Sequence, residues 1–433
     1  MIRAAVARWN RFWFEPGPAS TLGTCRLLFF GFLFLWQLPH DFTPWGAYSS
    51  VFWMPIWLFD TFGIPPFTPH TLAWIQIAWK AALFLSAVGL FTRPAMTIAF
   101  VLGGYLMGLP HNFGQTQHFD TLVVFANGAL ALSRAGDACS LDALIDASAR
   151  RSAHPPADDG EYTWPIRFVW VAMALAFGAA GFAKLRHSGL EWIFSSNLAM
   201  LLLRQQYHIS DGEPLTNWGI WVANHRPMAQ VMAASAVAIE SLFPLALFSR
   251  RARYVLVPAG LAFLIGIRTL MGPTFEQFMM CYVFWVPWSR VFAAVRQRIV
   301  FGAERLVLYD GGCGTCSRAA IILSRLDGLG RLRYADVTSD WSILSSIYPR
   351  LDHDACLADM HVIVNPGDDP RWGGVSVVAG FGAYRSVAWV VPLGWIALPF
   401  AYVPGVAWIG RRGYRMFASH RTTTSCPVPS AAK

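Results

Sequence analysis

The sequence predicts an all-α membrane bundle of about eight spans followed by a small α/β domain. Of the 433 residues, 55% are apolar and only 14% are charged, whereas soluble domains carry about 25% charge. The chain also holds 20 Trp and 32 Phe, and its apolar residues form long runs. This composition excludes a disordered chain and an ordinary soluble enzyme.

The apolar runs define the predicted spans, since a helix needs about 20 mostly apolar residues to cross the hydrocarbon of a bilayer. The first run follows three arginines and is not followed by a small-residue cleavage site, so we interpret it as an anchor rather than a signal peptide. The eight predicted spans are 22–39, 72–92, 95–110, 119–133, 164–186, 228–248, 254–270 and 273–292.

The placement of positive charge predicts the orientation of these spans. Arginines cluster before the first span and in every second connection, while residues 41–71 and 111–118 contain neither Lys nor Arg. This pattern puts both termini in the cytoplasm and predicts a multi-pass protein of the inner (plasma) membrane. The net charge of +9 therefore indicates orientation and contact with anionic lipid, and we expect no nucleic-acid partner.

The chain changes character after residue 300. The segment RLVLY at 305–309 predicts a strand, followed by a glycine turn and a helix from about residue 313. RLRYADV and MHVIVN predict a second and a third strand, which together indicate a small α/β unit. We accordingly predict a membrane domain at 1–300, an α/β domain at 301–425 and a disordered tail at 426–433.

Cys313 and Cys316 form a CxxC motif directly after the first predicted strand. This spacing lets the thiols close a disulfide within one helical turn, and a helix N-terminus favours the thiolate of Cys313 as the attacking sulfur. Cys316 then resolves the mixed disulfide, and Asp310 is placed to accept or relay a proton. Two alternatives stay open, a zinc site completed by His353 and Cys356, and an inert buried pair. The strand–glycine–helix context favours redox chemistry, so we predict no bound metal.

The sequence YDGGCGTC, with the spacing of GVSVVAGFGAYRSVAWVVP and YVPGVAWIGRRGYRMFASHR, resembles the DCC family of thiol-disulfide oxidoreductase-like proteins. The resemblance covers about residues 303–421. It implies a thioredoxin-like fold, an activity of the protein-disulfide reductase type, and a cytoplasmic thiol reductant as partner.

Ionisable residues inside predicted spans are candidates for function. Lys184 lies in such a span, and burial can turn a lysine into a neutral amine base, although snorkelling to the interface is the plain alternative. His187 lies three residues beyond Lys184 and shares its helix face. Glu240 lies in the middle of the sixth span, where we expect it to pair with Lys80 or Arg268. His187 and Glu240 are also candidate substrate-binding residues.

Residues 10–295 resemble the HTTM family, the transmembrane part of vitamin K-dependent γ-carboxylases. The resemblance rests on AFGAAGFAKLRHSGLEW, QHFDTLVVFANGALALSRAGDACSLDAL and IESLFPLALFSRRAR. It implies that Lys184 is the base that deprotonates a reduced quinone and that His118 is a second catalytic residue. It also implies a quinone cofactor and a membrane lipid or quinone as partner.

Together these features predict a membrane thiol-disulfide oxidoreductase with a helical domain that handles a quinone or lipid. A carboxylase-like enzyme acting on a small substrate is one alternative. A non-enzymatic membrane protein that binds a partner and senses redox state through its dithiol is the other.

Overall fold

In the computed structural model, the described chain comprises residues 2–114, 120–150, 155–207, 212–298, 304–366, 376–392 and 394–413 except 404, 407 and 411. Two units are distinguished. The helical unit consists of Met1–Ser140 and Pro156–Pro287, and the α/β unit consists of Leu141–Pro155 and Trp288–Lys433. The α/β unit is thus assembled from two separate stretches of chain.

The helices and strands are numbered here in chain order. The first fifteen helices are α1 (Ile2–Phe14), α2 (Ala19–Gln37), α3 (Trp57–Thr61), α4 (Pro69–Val88), α5 (Thr92–Gly108), α6 (Thr121–Ala131), α7 (Leu141–Arg150), α8 (Trp164–Ser188), α9 (Glu191–Phe194), α10 (Asn197–Tyr207), α11 (Trp218–Asn224), α12 (Arg226–Leu242), α13 (Leu245–Phe248), α14 (Arg250–Leu270) and α15 (Glu276–Met280). The remaining elements are α16 (Trp288–Arg298), β1 (Arg305–Tyr309), α17 (Gly314–Leu326), β2 (Leu332–Asp336), α18 (Trp341–Ile347), α19 (His353–Ala358), β3 (His361–Val364), β4 (Ser376–Ala379), α20 (Phe381–Ala388) and α21 (Gly394–Ala401).

Four described helices are long and apolar enough to cross a membrane, namely α2, α4, α8 with the turn before it, and α14. A fifth span requires α15 and α16 to act together across the break at residues 286–287. The four helices support association with a membrane. The prediction of eight spans is not supported, because the other apolar runs of the described residues do not form helices of this length.

The reason differs from run to run. Helix α6 has 11 residues, and at about 1.5 Å per residue it is far shorter than the hydrocarbon of a bilayer. Helices α5 and α12 have 17 residues each, fewer than the roughly 20 of a typical span. The run predicted at 228–248 is divided because α12 ends at Leu242 and Pro244 precedes the short α13. Counting apolar residues does not detect such breaks.

Arg26 is completely buried within the helical unit. Its Nε donates to the Ala135 carbonyl at 3.1 Å and its Nη1 to the Ala87 carbonyl at 2.8 Å. The guanidinium also donates to the carbonyls of Ser86 and Cys139. Arg26 thereby joins α2 to the C-terminal end of α4 and to the loop that follows α6, where helix carbonyls lack partners within their own helix.

The α/β unit contains a four-stranded sheet in the order β2-β1-β3-β4. Strands β1 and β2 are parallel, whereas β3 runs antiparallel to both β1 and β4. The three predicted strands are present, and the first has the predicted bounds 305–309. Strand β4 was not predicted. This small mixed sheet confirms the predicted change of architecture after residue 300.

Alternating side chains of the central strands build two apolar clusters, one on each face of the sheet. Val307 and Val362 pack with residues of α17 and α20. Leu308 and Ile363 pack with residues of α18 and α19. This alternation is expected of a sheet that is covered on both faces. Both central strands are buried, so the loop that follows β1 starts from a fixed position.

Candidate functional site

The CxxC motif lies where β1 ends and α17 begins. Cys313 is the N-cap residue of α17, with an extended backbone, and Cys316 lies in the first turn of the helix. None of the six cysteines in the described ranges forms a disulfide. The structure brings Cys313, Cys316 and Asp310 together, as the sequence predicted for a candidate site.

Asp310 organises the turn between the strand and the thiols. Its Oδ1 accepts hydrogen bonds from the Gly312 amide at 2.9 Å and from the Thr338 hydroxyl at 3.1 Å. Its backbone carbonyl accepts from the Cys313 amide at 3.2 Å. The carboxylate therefore holds the backbone that presents the cysteines, and it also lines a small cavity next to Cys316.

Asp336, at the end of β2, holds the same turn from the neighbouring strand. Its Oδ1 accepts from the Gly311 and Thr338 amides, each at 2.8 Å. A Cβ at Gly311 would collide with the Asp336 carboxylate, so only glycine is accommodated there. Sequence analysis missed Asp336. Parallel pairing of the first two predicted strands could have identified Asp336, because it places Asp336 opposite Tyr309, where both strands end.

The two sulfurs differ in accessibility. Cys313 is 3% exposed, whereas Cys316 is only half-buried. Cys316 lines the small cavity together with Asp310, Met360 and Tyr384. The exposed fractions favour Cys316, rather than Cys313 as predicted, as the sulfur that meets another molecule.

Cys356 of α19 lines the same cavity as Cys316 and is 2% exposed. Burial, with a smaller effect of Asp352, raises the pKa of the Cys356 thiol above its usual 9.0. His353 instead packs its ring on Trp341, with centroids 4.5 Å apart. Within the described ranges, no three His, Cys, Asp or Glu side chains are grouped as metal ligands. This arrangement gives no support to the zinc alternative.

Comparison with known families identifies this region. Residues 307–427 match the family of DCC1-like thiol-disulfide oxidoreductases. The chain carries a DCC1-like domain. Neither a curated protein nor a solved structure matches the chain. Nothing found supports an HTTM domain in the residues before the DCC1-like domain.

The other predicted site residues lie in the helical unit, outside the DCC1-like domain. Lys184 on α8 forms an ion pair with Glu240 on α12, with Nζ 2.7 Å from Oε1. Only 7% of the Glu240 side chain and 26% of the Lys184 side chain are exposed. Glu240 is therefore paired as predicted, but its partner is Lys184 rather than Lys80 or Arg268.

The two residues expected to pair with Glu240 have other partners. Lys80 Nζ donates to the carbonyls of Leu38 at 3.0 Å and His40 at 2.7 Å, just beyond the end of α2. Arg268 forms an ion pair with Glu276 at 2.8 Å. Both cations therefore stabilise local structure.

Among the described contacts, none joins His187 to this ion pair. His187 lies on α8, one turn beyond Lys184, and is exposed. His118 lies outside the described residues. Their predicted catalytic and substrate-binding roles stay predictions.

Proposed function

We propose that the protein is a membrane-associated oxidoreductase that exchanges Cys313 and Cys316 between dithiol and disulfide forms. The proposal is carried by the position of the CxxC motif at the N-terminus of α17, inside a DCC1-like domain. The order β2-β1-β3-β4 of the small sheet, with the motif directly after its first strand, supports the thioredoxin-like fold that we propose for this domain. Four long apolar helices supply the membrane association.

The chemistry follows from the accessibility of the two thiols. The Cys316 thiolate attacks one sulfur of a partner disulfide, which releases the other partner sulfur as a thiolate. Cys313 then attacks Cys316 of this mixed disulfide, so that the partner leaves as a dithiol and the CxxC motif is oxidised by two electrons. A second dithiol, the proposed cytoplasmic reductant, returns the motif to its reduced form by the same exchange.

Asp310 positions the turn, and as a carboxylate beside the cavity it is our candidate for receiving the proton of the attacking thiol. Asp359 and Met360 precede β3 and line the same cavity. A partner disulfide that approaches Cys316 would therefore contact this segment.

The test is the reduction of a fluorescent glutathione disulfide probe by the full-length protein in detergent, with dithiothreitol as the reductant. Cys313→Ser and Cys316→Ser should each reduce the rate at least tenfold, because each removes one of the two exchanging sulfurs. Cys139→Ser is the matched control, since Cys139 is exposed but lies in the helical unit. A double Cys313→Ser/Cys316→Ser variant with the activity of the unchanged protein would exclude the proposal.

The order of the two thiols has its own measurement. A bulky maleimide should label Cys316 several times faster than Cys313, because Cys313 is only 3% exposed. Faster labelling of Cys313 would return the attacking role to Cys313, as the helix N-terminus alone predicts.

The predicted orientation, with both termini on the cytoplasmic side of the plasma membrane, is part of this proposal. It is supported by the arginine clusters that lie in alternate connections. An alkaline phosphatase fusion after residue 300 should be inactive and one at residue 60 active.

The quinone- or lipid-handling role of the helical unit stays a prediction, as do the carboxylase-like and redox-sensing alternatives. Lys184 is ion-paired with Glu240, so this contact would have to open before Lys184 could act as a base. Mass spectrometry of small molecules that copurify with the protein tests this part, because a bound quinone would support the base role of Lys184.

A further inference from the structure

The cavity beside the CxxC motif is lined by two cysteines from different elements. Cys316 contributes from α17 and Cys356 from α19, while Tyr309 and Asp310 line it from the end of β1. Cys313, although it belongs to the motif, does not line this cavity. Cys316 thus shares the lining of one small cavity with a second cysteine, in addition to Cys313 of its own motif.

We propose that Cys356 is a third redox thiol, which takes over the disulfide of Cys316 from Cys313. This inference rests on the proposed function, since the CxxC disulfide supplies the oxidising equivalents. Cys316 is then the shared sulfur of two alternative disulfides, one within the motif and one to α19.

The exchange balances without a further oxidant. The Cys356 thiolate attacks the Cys316 sulfur of the Cys313–Cys316 disulfide, the bond between Cys313 and Cys316 breaks, and Cys313 leaves as a thiolate. The proton lost by Cys356 is balanced by the proton that Cys313 gains. One disulfide and one thiol are present before and after the step, so the protein stays oxidised by two electrons while the disulfide moves inward.

The surroundings of Cys356 make it a slow attacking thiol, but they shield the disulfide once it has formed. It is 2% exposed and packs with Leu308 and Ile363 on one face of the sheet. A buried thiol of this kind forms little thiolate near neutral pH and attacks slowly. A disulfide that involves Cys356 is likewise shielded from external thiols. The Cys316–Cys356 form would therefore persist longer than the CxxC disulfide when a reductant is present.

The experiment uses the full-length Cys313→Ser variant, oxidised with glutathione disulfide and mapped by mass spectrometry of its peptides. In this variant Cys316 has no partner in the motif. We expect the glutathione adduct of Cys316 to be replaced by an intramolecular Cys316–Cys356 disulfide. A Cys313→Ser/Cys356→Ser variant should retain the adduct. Cys313→Ser/Cys139→Ser should still form the disulfide, because Cys139 belongs to the helical unit.

Two results would overturn the inference. One is a Cys313→Ser variant that keeps glutathione on Cys316 while Cys356 stays a free thiol. The other is a Cys316–Cys356 disulfide that forms only after the protein is denatured. A Cys356→Ser variant reports on the proposed function separately, since its failure to form a Cys313–Cys316 disulfide under the same conditions would reject that function. A Cys313→Ala variant treated in the same way guards against misfolding of the serine variant.

Discussion

Two cations on long helices of the helical unit and two carboxylates of the α/β unit bind opposite kinds of backbone group. In the helical unit, cations bind carbonyls at helix ends, as Arg26 does at the end of α4 and Lys80 does after α2. In the α/β unit, carboxylates bind amides of turns. Asp336 accepts from the turn after β1, and Asp327 accepts from the Arg331 and Leu332 amides at 2.9 and 2.7 Å.

The difference follows from which backbone groups each architecture leaves unpaired. Long helices end in carbonyls without partners in the same helix, and those at the end of α4 that Arg26 binds are buried. A strand-to-helix turn leads into the start of a helix, where backbone amides lack partners within the helix and carboxylates can bind them. An ionisable residue in an apolar span therefore need not be catalytic, and a carboxylate beside a thiol need not be a base.

The strongest test of this comparison removes the Arg26 guanidinium. Arg26→Leu should lower the free energy of unfolding by about 3–5 kcal/mol, because buried carbonyls lose a charged donor. Thermal unfolding in detergent measures the effect. Arg8→Gln is the control, since Arg8 is exposed on α1, and it should change the melting temperature little. Equal melting temperatures for the two variants would contradict the structural role of Arg26.

On the other side of the comparison, Gly311→Ala should disturb the turn that presents the thiols. The new methyl group would collide with the Asp336 carboxylate, and we expect a cost of about 1–3 kcal/mol together with at least a tenfold slower disulfide exchange. Gly328→Ala is a matched control in the same unit, because a Cβ there meets open space. If both variants reduce the probe at the unchanged rate, the turn does not depend on Gly311.

The Lys184–Glu240 ion pair should contribute less, because a quarter of the Lys184 side chain is exposed. Lys184→Met leaves a buried carboxylate and should cost about 1–2 kcal/mol. Adding Glu240→Leu should recover most of this loss, whereas Lys184→Arg should keep the stability. These values are read from unfolding in detergent. A double variant less stable than Lys184→Met would show that the pair does not act as a unit.

The smallest expected effect is the shifted titration of Cys356. Its raised pKa means that the folded protein holds the proton to higher pH than the unfolded chain does, so this thiol stabilises the fold below about pH 9, and the contribution is lost as pH rises further. The alkylation rate of Cys356 should reach half its maximum at a higher pH in the folded protein than in urea. A coincident midpoint would contradict the burial of this thiol.

Much of the α/β unit was predictable because its signals are local. Short apolar strands bounded by glycine turns specify β1 and α17 without reference to the rest of the chain. The number of spans was not predictable from composition, since an apolar run does not reveal whether a break such as the one at Pro244 divides it into shorter helices. Strand β4 follows a stretch that is rich in glycine and carries no clear alternation.

The site was predictable where neighbours in sequence are neighbours in space. Cys313, Cys316 and Asp310 are such a group. The Lys184–Glu240 ion pair joins residues 56 apart, and the Asp336 contact joins residues 25 apart, so both depend on packing that the sequence does not display. Likewise, the low exposure of Cys313 depends on how the turn folds, which the CxxC spacing leaves open.

Helix α7, at residues 141–150, packs against α17, although the whole second half of the helical unit separates them in the chain. During synthesis α7 therefore leaves the ribosome long before α17 is made. Its contact with α17 can form only after most of the chain has been synthesised. A fragment that begins at residue 301 would lack α7, and with it part of the packing of the CxxC helix α17. Biochemistry on the thiols is best done with the intact chain, because the order of synthesis and the order of assembly differ here.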